Sequence, residues 1–332
     1  MSQVMRLGAG DAACSKILVG VLCFCICASL SGFAASAHAE EGAVPYLAGV
    51  NLGIPIAAAP PPGLYASATN YFKPMTVYNG DGDKTPITAG INGTTISLFY
   101  VPGNQLLGGT YFAFMRQPVL FDSQTTDLFG ESSTVRQNGI FNTIISPLNI
   151  SWMLLSGHLF VATGITFYIP DSTYSKSNAL NIGNNFFTFE PAAAITFLNK
   201  GLNLTAFALY DINTANNSST NVNAVNGNYD SGSVLTVEFD AIQTLGKFSV
   251  GAVGYVQDQL TNDTAGGQVV PAVSVGPYQI SSRGDKVSEF AVGPEIGYDF
   301  GLVNVTAYFT RDLIHENTIG GDSFWLRLST RF

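Results

Sequence analysis

The chain has 332 residues, of which 46% are hydrophobic, 12% aromatic and only 11% charged, with 35 glycines and a formal net charge of −9. Soluble domains usually carry about 25% charged residues, which argues against an ordinary cytosolic enzyme, and the acid excess leaves no basic face for nucleic acid. Beyond residues 17–37 no apolar run reaches the ~20 residues of a membrane helix, so a multi-helix membrane protein is excluded.

Arg6 and Lys16 precede the apolar run from Ile17 to Cys27, and Ala37-His38-Ala39 forms a small-x-small site ahead of Glu40-Glu41. Basic, apolar and cleavable regions in that order predict a secretory signal peptide over residues 1–39, with an uncleaved anchor helix as the alternative. All four cysteines, Cys14, Cys23, Cys25 and Cys27, fall in this leader. The mature chain then has no thiol for a disulfide or a metal, and no metal or cofactor is expected. Residues 40–62 show no alternation and end in three consecutive prolines, which excludes a central strand. They are expected either inside a lumen as a plug or loose in the periplasm.

From Gly63 onward polarity alternates with period two, the pattern of strands with two unlike faces. The last segment shows it most clearly: Phe324, Leu326, Leu328 and Phe332 fall in one register, Trp325, Arg327, Ser329 and Arg331 in the other. Twelve strands are expected near 63–72, 93–101, 106–117, 139–155, 158–169, 185–198, 202–212, 231–244, 248–260, 288–300, 302–311 and 322–332. Tight turns such as Ser156-Gly157 and Asn199-Lys200-Gly201 alternate with long polar stretches near 73–92, 118–138, 170–184, 213–230, 261–287 and 312–321. An even strand count with short turns on one side and long loops on the other predicts an all-β fold, a transmembrane antiparallel β-barrel of the bacterial outer membrane over 63–332. A soluble β-sandwich shares the alternation. It gives no reason for charge to avoid one face, whereas lipid does: Arg or Lys there costs about 2–4 kcal/mol at the midplane. The terminal Phe332 resembles the signal read by barrel-assembly machinery. Outer-membrane lipid and lipopolysaccharide are the remaining partners such a barrel implies.

The polar register nominates lumen-lining residues. Glu190, Glu238, Asp240, Glu295 and Asp299 supply acid from strands six, eight and ten; Arg116, Arg311, Arg327 and Arg331 supply base from strands three, eleven and twelve. Acid and base therefore fall on separate arcs of wall, either as a field across a water-filled lumen or as packing partners in a plugged one. Phe207, Tyr255 and Trp325 add aromatic surface for a ring to stack on. Catalysis is disfavoured by inventory. His158 and His315 are expected at opposite rims, so no His and Ser converge as a barrel phospholipase requires. Asn79-Gly80-Asp81-Gly82-Asp83 resembles a calcium loop, but its twelfth position is Gly90 rather than a bidentate Glu.

The order of several short motifs resembles the outer-membrane family named for the meta-pathway of phenol degradation. They are Glu41-Gly42-Ala43 with Tyr46 and Gly49, Pro61-Pro62-Gly63-Leu64-Tyr65, Pro147 to Trp152, Asn181 to Asn185, Phe189-x-Pro191, Tyr229-x-Ser231-Gly232, Gly251-x-x-Gly254-Tyr255, Gln259-x-x-x-Asp263 and Gly293-Pro294. Ile169-Pro170-Asp171 departs from the family's Pro-Thr-Gly. The resemblance implies a barrel that takes up small hydrophobic or aromatic solutes and names no particular one. Two readings stay open: such a channel, or a structural or surface-interaction barrel with a closed lumen whose long loops act outside.

Overall fold

The computed structural model describes residues 44–219 and 221–332; the expected signal peptide over 1–39 lies outside them. Twelve strands form the wall: β1 (Gly63–Tyr78), β2 (Lys84–Val101), β3 (Gly109–Leu128), β4 (Thr143–Leu154), β5 (Leu159–Ile169), β6 (Thr188–Asn199), β7 (Leu202–Asn213), β8 (Val234–Leu245), β9 (Phe248–Gln259), β10 (Ser288–Asp299), β11 (Asn304–Glu316) and β12 (Thr318–Arg331). Each pairs antiparallel with its neighbour in chain order, and β1 pairs with β12 from Tyr65↔Arg331 to Tyr78↔Thr318, which closes the barrel. No helix among the described residues is long and apolar enough to cross a membrane.

The alternation sets which face each side chain takes. On β12 Phe324 is 48% exposed on the outside while Trp325 is 3% exposed within. Short turns fix the register at one end. Between β6 and β7, Lys200 (φ 48) and Gly201 (φ 83) both take the left-handed conformation that a two-residue hairpin turn requires. These turns mark the periplasmic rim.

At the opposite end three expected loops are largely strand. β1 and β2 meet through residues 79–83, β3 runs on to Leu128 and hairpins with Glu131–Ile140, and Asn317 alone separates β11 from β12. The contrast between faces is weakened there because the outward positions Ser123, Thr125 and Asp127 of β3 are polar like the loops they resemble, while Gln124, Thr126 and Leu128 face inward and are buried. Long connections remain at 170–187, 214–233 and 260–287.

β4 interrupts the ladder. Its register shifts against both neighbours around Ser146-Pro147, as expected where proline has no N–H to give, and the Tyr111 hydroxyl donates to the Pro147 carbonyl at 2.7 Å. Above Arg116, β3 exchanges β4 for the strand Glu131–Ile140. Asp171, the residue that departs from the family pattern, closes the wall there by accepting from the Thr143 N–H (2.8 Å) and hydroxyl (2.6 Å).

Candidate functional site: the lumen and its inner segment

Residues 44–62 lie inside the barrel. Successive turns, with N–H bonds from Val50 to Leu47, Leu52 to Gly49 and Ile54 to Asn51, coil the chain into a compact body. Its Tyr46, Ala48, Val50 and Leu52 pack with Tyr71, Leu120, Ile144, Tyr168, Leu209, Tyr255, Tyr308 and Trp325 of the wall. Two positions require glycine. Gly49 has φ +100 and a Cβ would lie 2.9 Å from the Trp325 ring; Gly53 has φ +78 and its Cβ would fall on the Glu295 carboxylate.

The wall holds this segment mainly by its backbone. Glu238 accepts from the Gly49 N–H at 2.6 Å and Asp240 from the Gly53 N–H at 3.1 Å. Arg327 donates to the carbonyls of Leu52 (2.8 Å) and Val50 (2.7 Å) and to the Tyr308 hydroxyl (2.9 Å), while that hydroxyl donates to the Gly49 carbonyl at 3.0 Å. Arg116 reaches the Asn51 side chain at 2.6 Å. Lower down, the Ser151 hydroxyl donates to the Ala57 carbonyl at 2.6 Å and Thr196 accepts from the Ala57 N–H at 3.2 Å. Buried charges are tolerable where they are hydrogen-bonded in this way.

The structure places the other sequence candidates as follows. Glu190 is buried and accepts from the Tyr168 hydroxyl at 2.8 Å. Tyr255 is buried and donates to Asp312 at 2.9 Å. Phe207 packs against the inner cluster, and Trp325 stacks on Tyr308 at 5.4 Å and 11°. Asp299 and Arg331 stand at the periplasmic mouth, where Arg331 donates to the Pro62 carbonyl at 2.8 Å. Arg311 does not face the lumen. On β11 the inward positions are Tyr308, Thr310 and Asp312, so Arg311 points outward, its side chain 62% exposed and paired with Asp322 at 2.7 Å. The period-two reading fails there because it ends β11 at residue 311, before the inward Asp312 identifies the face. Phe332 is 74% exposed and its N–H donates to the Leu64 carbonyl at 2.9 Å.

Lys73, Asp211, Glu289 and Asp312 are buried luminal charges that the sequence reading missed. Lys73 and Asp312 fell in stretches expected to be loop; Asp211 shares the register of Phe207 and was open to discovery from it. With them, acid lines β6 to β11 and base lines β12, β1 and β3, with Asp122 of β3 the acid that breaks the division. Among the described residues no group of three or more His, Cys, Asp or Glu is placed to hold a metal. The Asn79 side-chain oxygen is taken up by the N–H groups of Asp81 and Asp83.

Two spaces flank the inner segment. Toward the periplasm a vestibule of about 960 Å³ opens past Ile54, Pro55 and Pro60. Toward the outside an apolar cavity of about 70 Å³ lies between Val44, Leu47 and Val50 of the segment and the wall of β1 to β5, under Leu180 and Ile182 of loop 170–187. Loop 260–287 reaches across to β1, β2 and β12, where its Ile280 packs with Met75, Val77, Ile87 and Ile319. In it Asp263 accepts from the Gly232 N–H (2.7 Å), Gln259 (2.6 Å) and the Tyr229 hydroxyl (2.5 Å). Burial pushes the Asp263 carboxyl up to about 7 against the pull of those bonds, and burial likewise raises Asp285 beside it.

A closed antiparallel wall, apolar outside and polar within, with periplasmic turns and an occupied lumen, defines an outer-membrane β-barrel. Residues 76–328 match the family described as "Putative MetA-pathway of phenol degradation", and the chain belongs to it. The fold is similar to that of the COG4313 outer membrane channel from Pseudomonas putida F1, with a TM-score of 0.66 at 12% identity, covering 83% of this chain and 97% of that one. Weaker likenesses include the translocator domain of the autotransporter NalP from Neisseria meningitidis (TM-score 0.44, 12% identity, 81% and 88% covered) and a Pseudomonas aeruginosa FadL homologue (0.37, 10%, 82% and 91%). No curated protein matches the sequence. The protein is a twelve-stranded β-barrel of the bacterial outer-membrane type.

Proposed function

We propose that the channel admits small hydrophobic or aromatic compounds and that residues 40–62 are its plug. The observation that carries this reading is the manner of holding. The segment is gripped through backbone groups by side chains of the wall, Glu238, Asp240 and Arg327, and so is a separable body rather than part of the sheet. The lumen-facing aromatic and charged residues are then the path that opens when it moves. Export by the 1–39 leader and insertion through the barrel-assembly machinery, with Phe332 as signal, complete the proposal. Because the lumen is occupied, a second reading keeps it closed and gives the work to the extracellular loops. Single-channel conductance in a planar bilayer decides between them, with folding verified by heat-modifiable gel mobility. The mature protein is expected to conduct rarely and the form lacking residues 40–62 in steady steps. Silence from both folded forms would leave the closed barrel.

A further inference from the structure

The apolar cavity above the plug has a wall that its apolar character does not explain. Asp122 and Gln124 occupy successive inward positions of β3, about 7 Å apart along the strand, and both line the cavity. The Oδ1 of Asp122 and the Nε2 of Gln124 are buried without a hydrogen-bond partner, and Gln124 is only 3% exposed. Buried polar groups in folded proteins are almost always satisfied, so an acceptor and a donor left unmet side by side point to something that completes them. The same cavity is lined by Leu47, Ile91, Leu120, Phe141 and Ile144, which give such a molecule an apolar surround.

We infer that this cavity is a binding site for one small apolar molecule bearing a single neutral hydroxyl, the chemistry of an aromatic alcohol, with Asp122 accepting its proton and Gln124 donating to its oxygen. The inference deepens the channel reading and rests on it. Size bounds the occupant: at about 70 Å³ the cavity is smaller than the roughly 150 Å³ apolar cavity known to take one benzene, so it admits no more than a single ring, and only as the side chains around it give way. Water itself would meet the polar pair and leave the apolar wall unmet. A hydrocarbon would do the reverse. A carboxylate would be repelled by Asp122, and the cation that lines the same cavity, Arg116, is already bound to Asn51. The bound molecule would touch Tyr46, Leu47 and Val50 of the plug on its far side, so the site lies where occupancy and plug position meet.

The test is equilibrium dialysis of labelled phenol and labelled toluene, which are close in size, against the full mature protein in lipid nanodiscs, with empty discs as the blank. Saturable binding of one phenol per chain is expected, tighter than toluene by about tenfold or more, the modest end of what a hydrogen-bonding site achieves against an analogue lacking the group. Gln124→Leu and Asp122→Leu should each bring the phenol-to-toluene ratio to within about twofold of one, through loss of phenol binding with toluene unchanged. Equal affinities in the native protein, or a ratio that survives both substitutions, overturns the site. Should Asp122→Leu fail the heat-modifiable mobility check, Gln124→Leu decides alone. Flux of both compounds into proteoliposomes reads the channel separately. Flux without preferential phenol binding removes the site and keeps the channel, whereas preferential binding without flux keeps the site and removes the channel.

Discussion

The two halves of the lumen treat the inner segment differently. Along β8 to β12 it is fastened: Glu238, Asp240, Tyr308 and Arg327 meet the backbone of residues 49–53 with five hydrogen bonds. Along β1 to β5 the segment presents Val44, Leu47 and Val50 to a cavity, and the bond that crosses that side in the same layer is Arg116 to Asn51. Binding through backbone groups leaves the side chains of the segment free to form one wall of a chamber. On the plug reading, the fastened half sets whether the segment stays and the open half sets what can lie against it.

Removing the strongest fastening should disturb this division most. Arg327→Ala deletes donors to two carbonyls and a hydroxyl and leaves the acidic arc without its nearest base, a loss of about 3–5 kcal/mol in line with breaking a buried charged contact. Open time in planar bilayers should rise by roughly a hundredfold to a few thousandfold. An unchanged open probability would show that the fastening lies elsewhere. Gly53→Ala acts at the same place more gently. It forces an L residue into the left-handed region at a cost of about 1–2 kcal/mol and pushes the Glu295 carboxylate aside, so about tenfold more open time is expected; equal opening in Gly53→Ala and the native protein would show that the segment yields at that point.

The two long loops also differ. Loop 260–287 packs Asp263 and Asp285 out of water, while Asp171 of loop 170–187 is exposed. Asp263 holds its proton up to about 7 when packed, whereas the opened loop releases it near the ordinary carboxylate value. Proton binding therefore favours the packed loop, its stability falling as pH rises from about 4 to 7 and staying lower above. Amide exchange in 260–287, corrected for intrinsic rates, should quicken from pH 5 to pH 8 with no matching change in 170–187. Asp263→Asn should flatten the trend, and faster exchange in acid would reverse the assignment. The smallest effect belongs to the outer face. Arg311→Ala removes a solvent-screened surface ion pair and should leave ion selectivity untouched; a shifted selectivity would return Arg311 to the conduction path.

Much of this was legible from β12 alone, where strict alternation separates Phe324, Leu326 and Leu328 from Trp325 and Arg327 and the structure keeps them on opposite faces. The reading weakens wherever lipid no longer enforces contrast. Lys73 and Asp312 were lost because the strands that carry them run on into water, and Arg311 was misassigned at such an end. The inner charges could be found by register, but not their partner. Hydrogen bonds to a backbone leave no pattern in the sequence that receives them, so nothing in residues 49–53 announces Glu238 or Arg327.

The grip of Arg327 on Val50 and Leu52 spans 277 and 275 residues of chain. Contacts so distant in sequence form late, because nearly the whole polypeptide must be ordered before the ends can meet. β12 is also the strand that zips against β1 to close the wall. The strand whose pairing closes the wall is thus also the strand whose Arg327 holds the inner segment in place.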